Sequence, residues 1–546
     1  MQDQAAQQVN RAEQEIPAKA LKQGFSLRAL FAVSGFTFLS RILGYARDLL
    51  LAASFGTSPI AQAFFVAFRL PNMFRRIFAE GALSSAFVPN YSEVLEKNNF
   101  NAAQHYLRQV LGWLLLILLL LSAVMLWFMP QVIGLLAPGF RQDPQLFSLT
   151  VLYARVQFPY LIAISVMALG AAVLQTHRRF AVAAAAPIAL NVVMIAAMLF
   201  LLSQLANQRA DKGLALSWVI LASGFVQLVI VLWALRRAKL LVLRPILGWS
   251  APLARTLTML GPAILSAGVW HINTLVNTMI ASQEQKAVAI LYYADRLYQL
   301  PLGLIGVTFS VVLLPFLSQA LNKKQFDQVQ ENVNHAIELA LFIALPAMVV
   351  LFVIPQTLSI TLFERGDFLR SDSQATALAL RALAFAIPAA VLSKIFLPLF
   401  YAHKDTKSPF SQALISVFVN VVLALFLFAQ LKDLNLGFLG LAIASAAAAW
   451  VMLFMQLISV QKRKLWRFNT SVVMQVIRIF LAALIMALTV YILDSWVSQR
   501  FGLQTELARF AWFLVLLFLA TFVYTVAAYL LKVKSLNLLI KRLHRR

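Results

Sequence analysis

Five arginines lie in or beside two long apolar segments near the start of the chain. They are Arg41, Arg47, Arg69, Arg75 and Arg76, and the acids among them are Asp48 and Glu80. A charge at the centre of a membrane helix costs about 2.5 to 3.5 kcal/mol on insertion scales, so such residues usually face a water-filled cavity, a partner or a substrate. Because a guanidinium binds phosphate oxygens in pairs, this excess of arginine predicts a ligand that carries phosphate or carboxylate groups. For any single arginine, snorkelling to the lipid headgroups is the alternative. Snorkelling is also the interpretation given to Lys394, which lies in a later apolar segment near a helix end.

The helical spacing of these charges predicts which of them share a face. Arg41 and Asp48 are seven residues apart, as are Arg69 and Arg76, so each pair lies on one side of its helix. Glu80 follows Arg76 by four residues, a spacing that suits an ion pair. Structural pairing of Arg76 with Glu80 is favoured over a ligand role for these two residues.

The composition is that of a polytopic membrane protein. The chain has 546 residues, of which 61% are hydrophobic and 12% are charged, and its mean hydropathy is +0.80. These values exclude an ordinary soluble protein. The net charge of +25 is therefore attributed to basic loops on the cytoplasmic side and not to a nucleic-acid partner. The absence of cysteine excludes disulfides, thiol catalysis and cysteine-bound metals.

Apolar runs of about 20 residues, the length that crosses a bilayer as a helix, predict an all-α fold of about 14 transmembrane helices. The basic residues gather in every second connection, which by the positive-inside rule places both termini in the cytoplasm. The predicted divisions are a cytoplasmic N-terminal segment (1–28), a first lobe of six helices (29–238), a second lobe of six helices (239–464), a helix pair (465–531) and a basic cytoplasmic tail (532–546).

An internal repeat with an offset of about 227 residues relates the two lobes. FRLPNMFRRIFAEGALSSAFVPNYSEVL resembles DRLYQLPLGLIGVTFSVVLLPFLSQAL, and a second match aligns Asn191 with Asn420. Six helices separate the matches, so the lobes have the same orientation, as in transporters whose substrate site lies between two lobes. The repeat places Asp295 and Arg296 opposite the arginines of the first lobe, and Arg296 completes the candidate site.

A second group of polar residues lies in the seventh and eleventh predicted helices. His271, Asn273 and Asn277 are on the seventh, and Asn420 is on the eleventh. A proton or cation site is one interpretation of this group, and a neutral, packed histidine is the favoured alternative. No P-loop, metal-spaced cluster or nucleophile motif is present in the sequence, so no catalytic residue and no metal site is predicted.

Three motifs, SRILGYARD, AFFVAFRLPNMFRRIFAEGALSSAFVP and YYADRL, resemble those of the MurJ (MviN) lipid II flippase family. The resemblance covers nearly the whole chain. It implies the fold of the multidrug/oligosaccharidyl-lipid/polysaccharide exporter superfamily, with two six-helix lobes and a C-terminal helix pair whose groove holds a lipid tail. It also implies a bacterial cytoplasmic membrane protein, a monomer whose substrate is lipid II and whose partners include the cell-wall synthesis machinery.

The resemblance also assigns the candidate site. The cavity arginines of the family match Arg41, Arg47, Arg75 and Arg296, which we expect to bind the diphosphate, with Asp48 beside them. Arg69, Arg76, Glu80 and Asp295 are supporting or gating charges. This chain has Gln62 and Gln299 at positions where relatives often carry an acid, so a gating or ion-coupling role of those acids does not transfer to it.

The expected mechanism is alternating access, in which the arginines clamp the diphosphate and the lobes then close around it. No cofactor is expected, and the sequence leaves the energy source open between a Na⁺ or H⁺ gradient and the membrane potential. Three alternatives are a flippase for another polyprenyl-diphosphate-linked oligosaccharide, a drug/cation antiporter of the same superfamily, and a membrane enzyme acting on lipid-linked sugars. The antiporter would need cavity acids, and the enzyme would need a catalytic acid near the outer face.

Overall fold

The computed structural model of the protein describes residues 27–76, 83–201, 209–242, 244–501 and 505–536, and within these ranges it contains helices and no strand. The first nine helices are α1 (Leu27–Phe55), α2 (Pro59–Arg75), α3 (Leu83–Asn98), α4 (Phe100–Trp127), α5 (Met129–Leu136), α6 (Pro144–Gln157), α7 (Tyr160–Thr176), α8 (Phe180–Ala196) and α9 (Arg209–Arg237). The other ten are α10 (Ala251–Ala281), α11 (Ala287–Asn322), α12 (Phe326–Val353), α13 (Pro355–Phe363), α14 (Arg370–Ala384), α15 (Ile387–Ala402), α16 (Lys407–Leu431), α17 (Gly437–Lys462), α18 (Thr470–Phe501) and α19 (Glu506–Leu530).

The predicted fold class, an all-α polytopic membrane protein, is confirmed. Ten stretches of the described chain are long and apolar enough to cross a membrane. The four remaining predicted segments correspond to α1, to α2 with α3, to α10 and to α11, and these helices carry most of the charged and amide residues of the candidate site. The count of about 14 transmembrane helices therefore stays a prediction.

The helices pack mainly within two groups. Helices α1 to α9 contact one another through pairs such as α1 with α8 and α7 with α9, while α10 to α17 contact one another through pairs such as α11 with α15 and α16 with α17. We call these the first set and the second set. The sets meet where α2 contacts α11, where α3 contacts α10, and where α1 contacts α13. The candidate site lies along this seam.

The last two helices pack on the second set. Helix α18 contacts α12, and α19 contacts α12 and α13. Two polar contacts bind the pair at one end: the Asp494 carboxylate accepts hydrogen bonds from Thr357 Oγ1 at 2.7 Å and from Trp512 Nε1 at 3.2 Å. Farther along α19, the Tyr524 hydroxyl donates to the Phe342 carbonyl at 2.7 Å. The helix pair is therefore anchored to the second set.

Two ends of the bundle are distinguished by the predicted topology. The turn at residues 56–58, between α1 and α2, lies at the predicted outer end. Helices α7, α9, α11, α15, α17 and α19 all end at the opposite, predicted inner end, because the chain makes two predicted crossings, one outward and one inward, between each of these ends and the next. These two terms are used below for the two ends of the molecule.

Small residues allow close packing between helices of the first set. Gly224 of α9 faces Tyr160 of α7, and a Cβ at Gly224 would lie 2.6 Å from Tyr160 Cδ2. Close backbone approach of this kind is the usual means of helix association in membranes, where lipid removes much of the hydrophobic driving force. A Cβ at Gly261 of α10, in contrast, would have no neighbour within 4 Å.

We expect Gly224→Ala to lower the free energy of unfolding by about 1 to 3 kcal/mol, because the added methyl group overpacks the contact with Tyr160. Thermal unfolding of the purified protein in detergent measures this. Gly261→Ala is the matched control and should hold or raise the midpoint, since alanine is the better helix former by about 0.8 to 1 kcal/mol. Equal loss in both variants would contradict the proposed α7–α9 contact.

Candidate functional site

A cavity of about 410 Å³ lies in the seam between the two helix sets. Helices α2, α10, α11, α15, α16 and α17 contribute to its wall. Its charged lining in the described part of the chain consists of four cations, Arg69, Arg76, Arg296 and Lys394, and one carboxylate, Asp295. The cavity wall thus carries an excess of positive charge, which suits an anionic ligand.

A buried ion cluster around Asp48 closes one side of this cavity. Arg47 donates to Asp48 Oδ1 from Nε at 3.1 Å and from Nη2 at 2.8 Å, and its Nη1 donates to Asn191 Oδ1 at 3.1 Å. Arg296 Nε lies 3.3 Å from Asp48 Oδ2. Because Arg47 and Asp48 belong to α1 and Arg296 belongs to α11, the Asp48 carboxylate bridges the two helix sets.

Tyr292 completes the cluster and was not identified from the sequence. Its hydroxyl donates to Asp48 Oδ1 at 3.2 Å and accepts from Arg296 Nη2 at 3.0 Å. Its ring stacks on Phe65 of α2, with centroids 3.8 Å apart, and the Arg296 guanidinium lies 4.7 Å from the same ring. The spacing of four residues between Tyr292 and Arg296, one helical turn, was the available signal in YYADRL.

The other predicted site charges are spread along the seam. Arg41 of α1 lies against Gly303 of α11, where a Cβ would collide with the guanidinium. Arg69 donates to the Thr274 carbonyl at 3.2 Å. Asp295 Oδ2 accepts from Gln299 Nε2 at 2.6 Å. These contacts bring both helix sets to the same cavity.

Arg75 and Glu80 are placed differently from the other charges. Arg75 donates to Asn72 Oδ1 from Nε at 3.2 Å and from Nη2 at 3.0 Å. Asn72 and Arg76 line the cavity, and Arg75 is not part of its described lining. Glu80 lies outside the described residues, so its predicted pairing with Arg76 stays a prediction.

Lys394 is a further cavity residue that sequence reasoning left as a snorkelling cation. It projects from α15 into the cavity wall and interacts electrostatically with Arg41. Hydropathy alone could not distinguish a snorkelling lysine from a cavity lysine, because both lie in an apolar run. In the structure α15 packs against α11, and this packing places Lys394 in the cavity wall.

The predicted polar group of α10 and α16 also lies at the cavity. His271, Asn273, Asn277 and Asn420 all line it. The amide nitrogens of Asn277 and Asn420 both donate to Ser445 Oγ, at 3.0 and 3.3 Å. The Oδ1 atoms of Asn273, Asn277 and Asn420 are buried and have no hydrogen-bond partner in the described chain. Three carbonyl-type oxygens are thus available to a ligand.

At the predicted outer end, the turn between α1 and α2 docks on the second set. The Asp367 amide donates to the Ala53 carbonyl at 2.9 Å, and the Tyr293 hydroxyl donates to the Gly56 carbonyl at 3.0 Å. Gly56 has a φ of +53°, and a Cβ there would collide with the Asp367 carbonyl. Glycine therefore satisfies both the backbone conformation and the close approach.

A buried carboxylate strengthens this docking. Asp372 Oδ1 accepts from Thr57 Oγ1 at 2.7 Å and from Lys286 Nζ at 3.0 Å, and Asp372 Oδ2 accepts from the Leu369 amide at 3.1 Å. Thr57 belongs to the first set and Asp372 to the second. We call the contacts of residues 53, 56 and 57 with residues 293, 367 and 372 the outer latch, because they close the seam at the predicted outer end.

Comparison with known proteins shows the family to which the chain is similar. The family model described as lipid II flippase MurJ matches residues 51–527. The chain is 39% identical over 473 residues to a probable lipid II flippase MurJ of Rhizobium meliloti, covering 85% of this chain and 86% of that protein. It is 34% identical over 522 residues to a probable lipid II flippase MurJ of Rhizobium tropici, covering 95% of this chain and 97% of that protein.

Solved structures show the same likeness. A structure described as lipid II flippase MurJ in an inward closed conformation matches with a TM-score of 0.76 and 26% identity, covering 91% of this chain and 98% of that chain. An inward-facing multidrug resistance transporter of the MATE family, in the MOP superfamily, matches with a TM-score of 0.65 and 16% identity, covering 80% of this chain and 98% of that chain. The second match shows a shared fold alone.

Thr57→Ala and Asp372→Asn should each open the outer latch, because the first removes the hydroxyl that donates to Asp372 and the second removes the charge that Thr57 and Lys286 contact. A single cysteine at Ala53 reports the opening, since the native chain has no cysteine. We expect labelling of Ala53→Cys by a membrane-impermeant maleimide to rise severalfold in both variants. Thr57→Ser keeps the hydroxyl and should label like the parent. Unchanged labelling in Thr57→Ala and Asp372→Asn would show that the latch does not hold this end closed.

Proposed function

Because the chain belongs to the lipid II flippase MurJ family, we propose that it moves lipid II from the inner to the outer leaflet of the membrane by alternating access. The observation that carries this is the cation-rich cavity, whose wall in the described chain holds four cations and one carboxylate. A diphosphate supplies the opposing charge, and arginine binds phosphate oxygens in pairs. The chain is a transporter and not an enzyme.

The proposed diphosphate ligands are Arg41, Arg47, Arg75 and Arg296, of which Arg296 lines the described cavity in the present conformation. In the present conformation the Asp48 carboxylate already holds two of them, with Arg47 Nη2 at 2.8 Å and Arg296 Nε at 3.3 Å. A bound diphosphate replaces Asp48 as the acceptor for Arg296, and the released carboxylate stays paired with Arg47. Arg47 and Arg296 each keep a counter-charge after this exchange. Removing one partner of a buried ion pair would cost several kcal/mol.

Substrate binding then couples to the outer latch. When Arg296 leaves Asp48, the ion pair that joins the two helix sets next to the outer latch is lost. A ligand shifts a conformational equilibrium only by its difference in affinity for the two states. The diphosphate binds more tightly when the seam is open, because Asp48 competes with it for Arg296 only in the closed seam. Arg69, Arg76, Glu80 and Asp295 serve as supporting and gating charges.

The domain division predicted from the sequence is part of this proposal. The first lobe (29–238) and the second lobe (239–464) rock against each other about the cavity. The helix pair within 465–531 carries the undecaprenyl tail along its outer groove, and its polar anchors to α12 and α13 support movement with the second lobe. The protein acts as a monomer in the bacterial inner membrane, with both termini in the cytoplasm and with contacts to the cell-wall synthesis machinery.

A cation gradient is the proposed energy source, with the membrane potential as the alternative. Asn273, Asn277 and Asn420 offer three buried amide oxygens without hydrogen-bond partners in the described chain, and hard cations prefer oxygen ligands. We assign a Na⁺ site to these oxygens. Protonation of His271, which lines the same cavity, is the H⁺ alternative.

The drug/cation antiporter is disfavoured as a rival function. The MATE transporters share the fold at 16% identity, but the described cavity wall here holds one carboxylate, Asp295, and so lacks the acids that would bind a cationic drug. A flippase for a different polyprenyl-diphosphate-linked oligosaccharide would use the same arginines. Substrate competition with lipid II separates that alternative from the proposed function.

Arg47→Ala and Arg296→Ala should each reduce transport at least about tenfold, since each loses a charge-assisted hydrogen-bond pair worth about 1.5 to 3 kcal/mol. The measurement is exposure of lipid II on the outer leaflet in cells depleted of their native flippase, at matched expression. Arg381→Ala is the control, because Arg381 is exposed and donates to the Phe352 carbonyl away from the cavity. Full transport activity of both arginine variants would show that Arg47 and Arg296 only anchor the helices and do not bind the diphosphate. Failure of the parent chain to restore lipid II exposure would exclude lipid II as its substrate.

Na⁺ should raise the thermal midpoint of the purified protein more than K⁺ does at equal ionic strength. We expect Asn420→Ala to abolish this difference, because it removes one of the three unpartnered oxygens. Asn90→Ala is the matched control, since that amide is bonded to Thr256 outside the cavity. A midpoint that responds to pH and not to Na⁺, with the response lost in His271→Gln, would favour H⁺. A midpoint indifferent to both would exclude a coupling ion at these residues.

A further inference from the structure

Six helices end at the predicted inner end with the same backbone motif, and in each a basic residue occupies its left-handed position. The six residues are Arg178 (φ 60°), Lys239 (φ 59°), Lys324 (φ 55°), Lys404 (φ 59°), Lys464 (φ 56°) and Lys532 (φ 55°). They follow α7, α9, α11, α15, α17 and α19. We call these six residues the basic caps.

The hydrogen bonds of the motif are the same at all six ends. At the end of α7, Arg178 N donates to the Gln175 carbonyl at 2.9 Å and Arg179 N donates to the Leu174 carbonyl at 2.8 Å. The other five ends repeat these two bonds at 2.9 to 3.0 Å. This is the Schellman arrangement, which satisfies the last helical carbonyls and requires a left-handed residue directly after the helix cap.

Glycine is the residue that the backbone of this motif favours, because a side chain in the left-handed region is strained. Each basic cap keeps a long side chain at that position instead. The backbone conformation alone therefore does not explain the residue type, and a role for the charge must offset the strain at six separate helix ends.

The predicted outer end provides an internal comparison. The 3-10 turn Lys432–Leu434, which continues α16 at that end, closes with the same two bonds, from Asn435 N to the Lys432 carbonyl at 2.9 Å and from Leu436 N to the Leu431 carbonyl at 3.1 Å. Its left-handed residue is the neutral Asn435, with a φ of 56°. A helix dipole favours a base at every helix C-terminus, including that of α16. The dipole does not account for basic caps at one end of the molecule and a neutral cap at the other.

The side chains of the basic caps are exposed and make no ion pair or side-chain hydrogen bond within the described chain. The left-handed lysine at the predicted outer end behaves differently: Lys286 donates to Asp372 at 3.0 Å. An exposed base without a protein acid is free to bind an anion from outside the chain.

The basic caps also lie at the depth at which the apolar surface ends. Trp233 is 60% exposed and precedes Lys239 by less than two helical turns, and Tyr529 and Leu530, 65% and 71% exposed, come shortly before Lys532. Exposed aromatic and apolar side chains followed by a base are the pattern of the bilayer interface, where tryptophan and tyrosine sit at the level of the headgroups. Lipid phosphate is the anion found at that depth.

We propose that the six basic caps form a binding surface for anionic phospholipids of the inner leaflet, with each cap contacting a headgroup phosphate. This surface does not depend on the substrate of the cavity. It fixes the depth of both helix sets in the membrane, because caps belong to α7 and α9 of the first set, to α11, α15 and α17 of the second, and to α19 of the terminal pair.

The test compares the full-length purified protein with phosphatidylglycerol and with phosphatidylcholine in mixed micelles. The variant replaces all six basic caps by asparagine, the residue that the chain itself uses at position 435. Thermal midpoints give the lipid response. We expect phosphatidylglycerol to raise the midpoint of the parent protein above that in phosphatidylcholine. The six-asparagine variant should need at least about tenfold more phosphatidylglycerol for half of the shift, since each base near an anionic surface changes binding by about fivefold.

A second variant matches the change in charge. It replaces six exposed bases of the same inner connections by glutamine, namely Arg179, Arg236, Lys323, Lys407, Lys462 and Arg467, and should keep most of the response. Replacing the five lysine caps by arginine keeps the charge and should also keep it. An equal loss of the phosphatidylglycerol response in the glutamine and asparagine variants would overturn the proposal, because it would show that the total charge of the inner connections binds the lipid and not the six basic caps. No phosphatidylglycerol response in the parent, or the same response to inorganic phosphate, would overturn the proposal.

Discussion

The structure depends on one buried carboxylate, that of Asp48, which lies between the two helix sets. Asp48 is 3% exposed and is surrounded by Arg47, Tyr292 and Arg296. Burying an ion costs several kcal/mol unless opposite charge and hydrogen bonds compensate it. The compensation comes from both helix sets, so the sets cannot separate at this point without providing another anion. In the proposed mechanism, the diphosphate is that other anion.

The same helix links this cluster to the closure of the predicted outer end. Asp48 and Gly56 are eight residues apart at the end of α1, which is about 12 Å at the rise of an α-helix. On the facing side, Tyr292 bonds the Asp48 cluster while its neighbour Tyr293 bonds the Gly56 carbonyl. Adjacent residues of α11 thus hold both contacts. In the proposed mechanism, these neighbouring contacts on α11 carry a change at the cluster to the latch.

The sequence predicted the fold class and most of the charged residues of the cavity wall, because intramembrane charge is costly and residues such as Arg69, Arg76 and Arg296 could be read directly. It did not find Tyr292, whose hydroxyl acts only through partners that the fold brings together. It also left Lys394 as an anchor, since hydropathy does not say which side of α15 faces the seam. The outer latch was beyond prediction for a related reason: Gly56 and Asp367 lie far apart in the chain, and their contact is between backbones, which leaves little trace in residue type. The basic caps were visible as lysines and arginines in loops, but their shared left-handed backbone was not.

The most direct test of the central claim is the distance between the two helix sets at the predicted outer end. Spin labels at Pro59 and Ser371, both exposed, report this distance by pulsed electron paramagnetic resonance in reconstituted protein. We expect a longer distance when lipid II is added, and a longer distance without lipid II in Asp48→Asn, because that variant removes the negative charge that Arg47 and Arg296 share. A distance that is unchanged by lipid II and by Asp48→Asn would contradict the claim that the Asp48 cluster holds the seam closed.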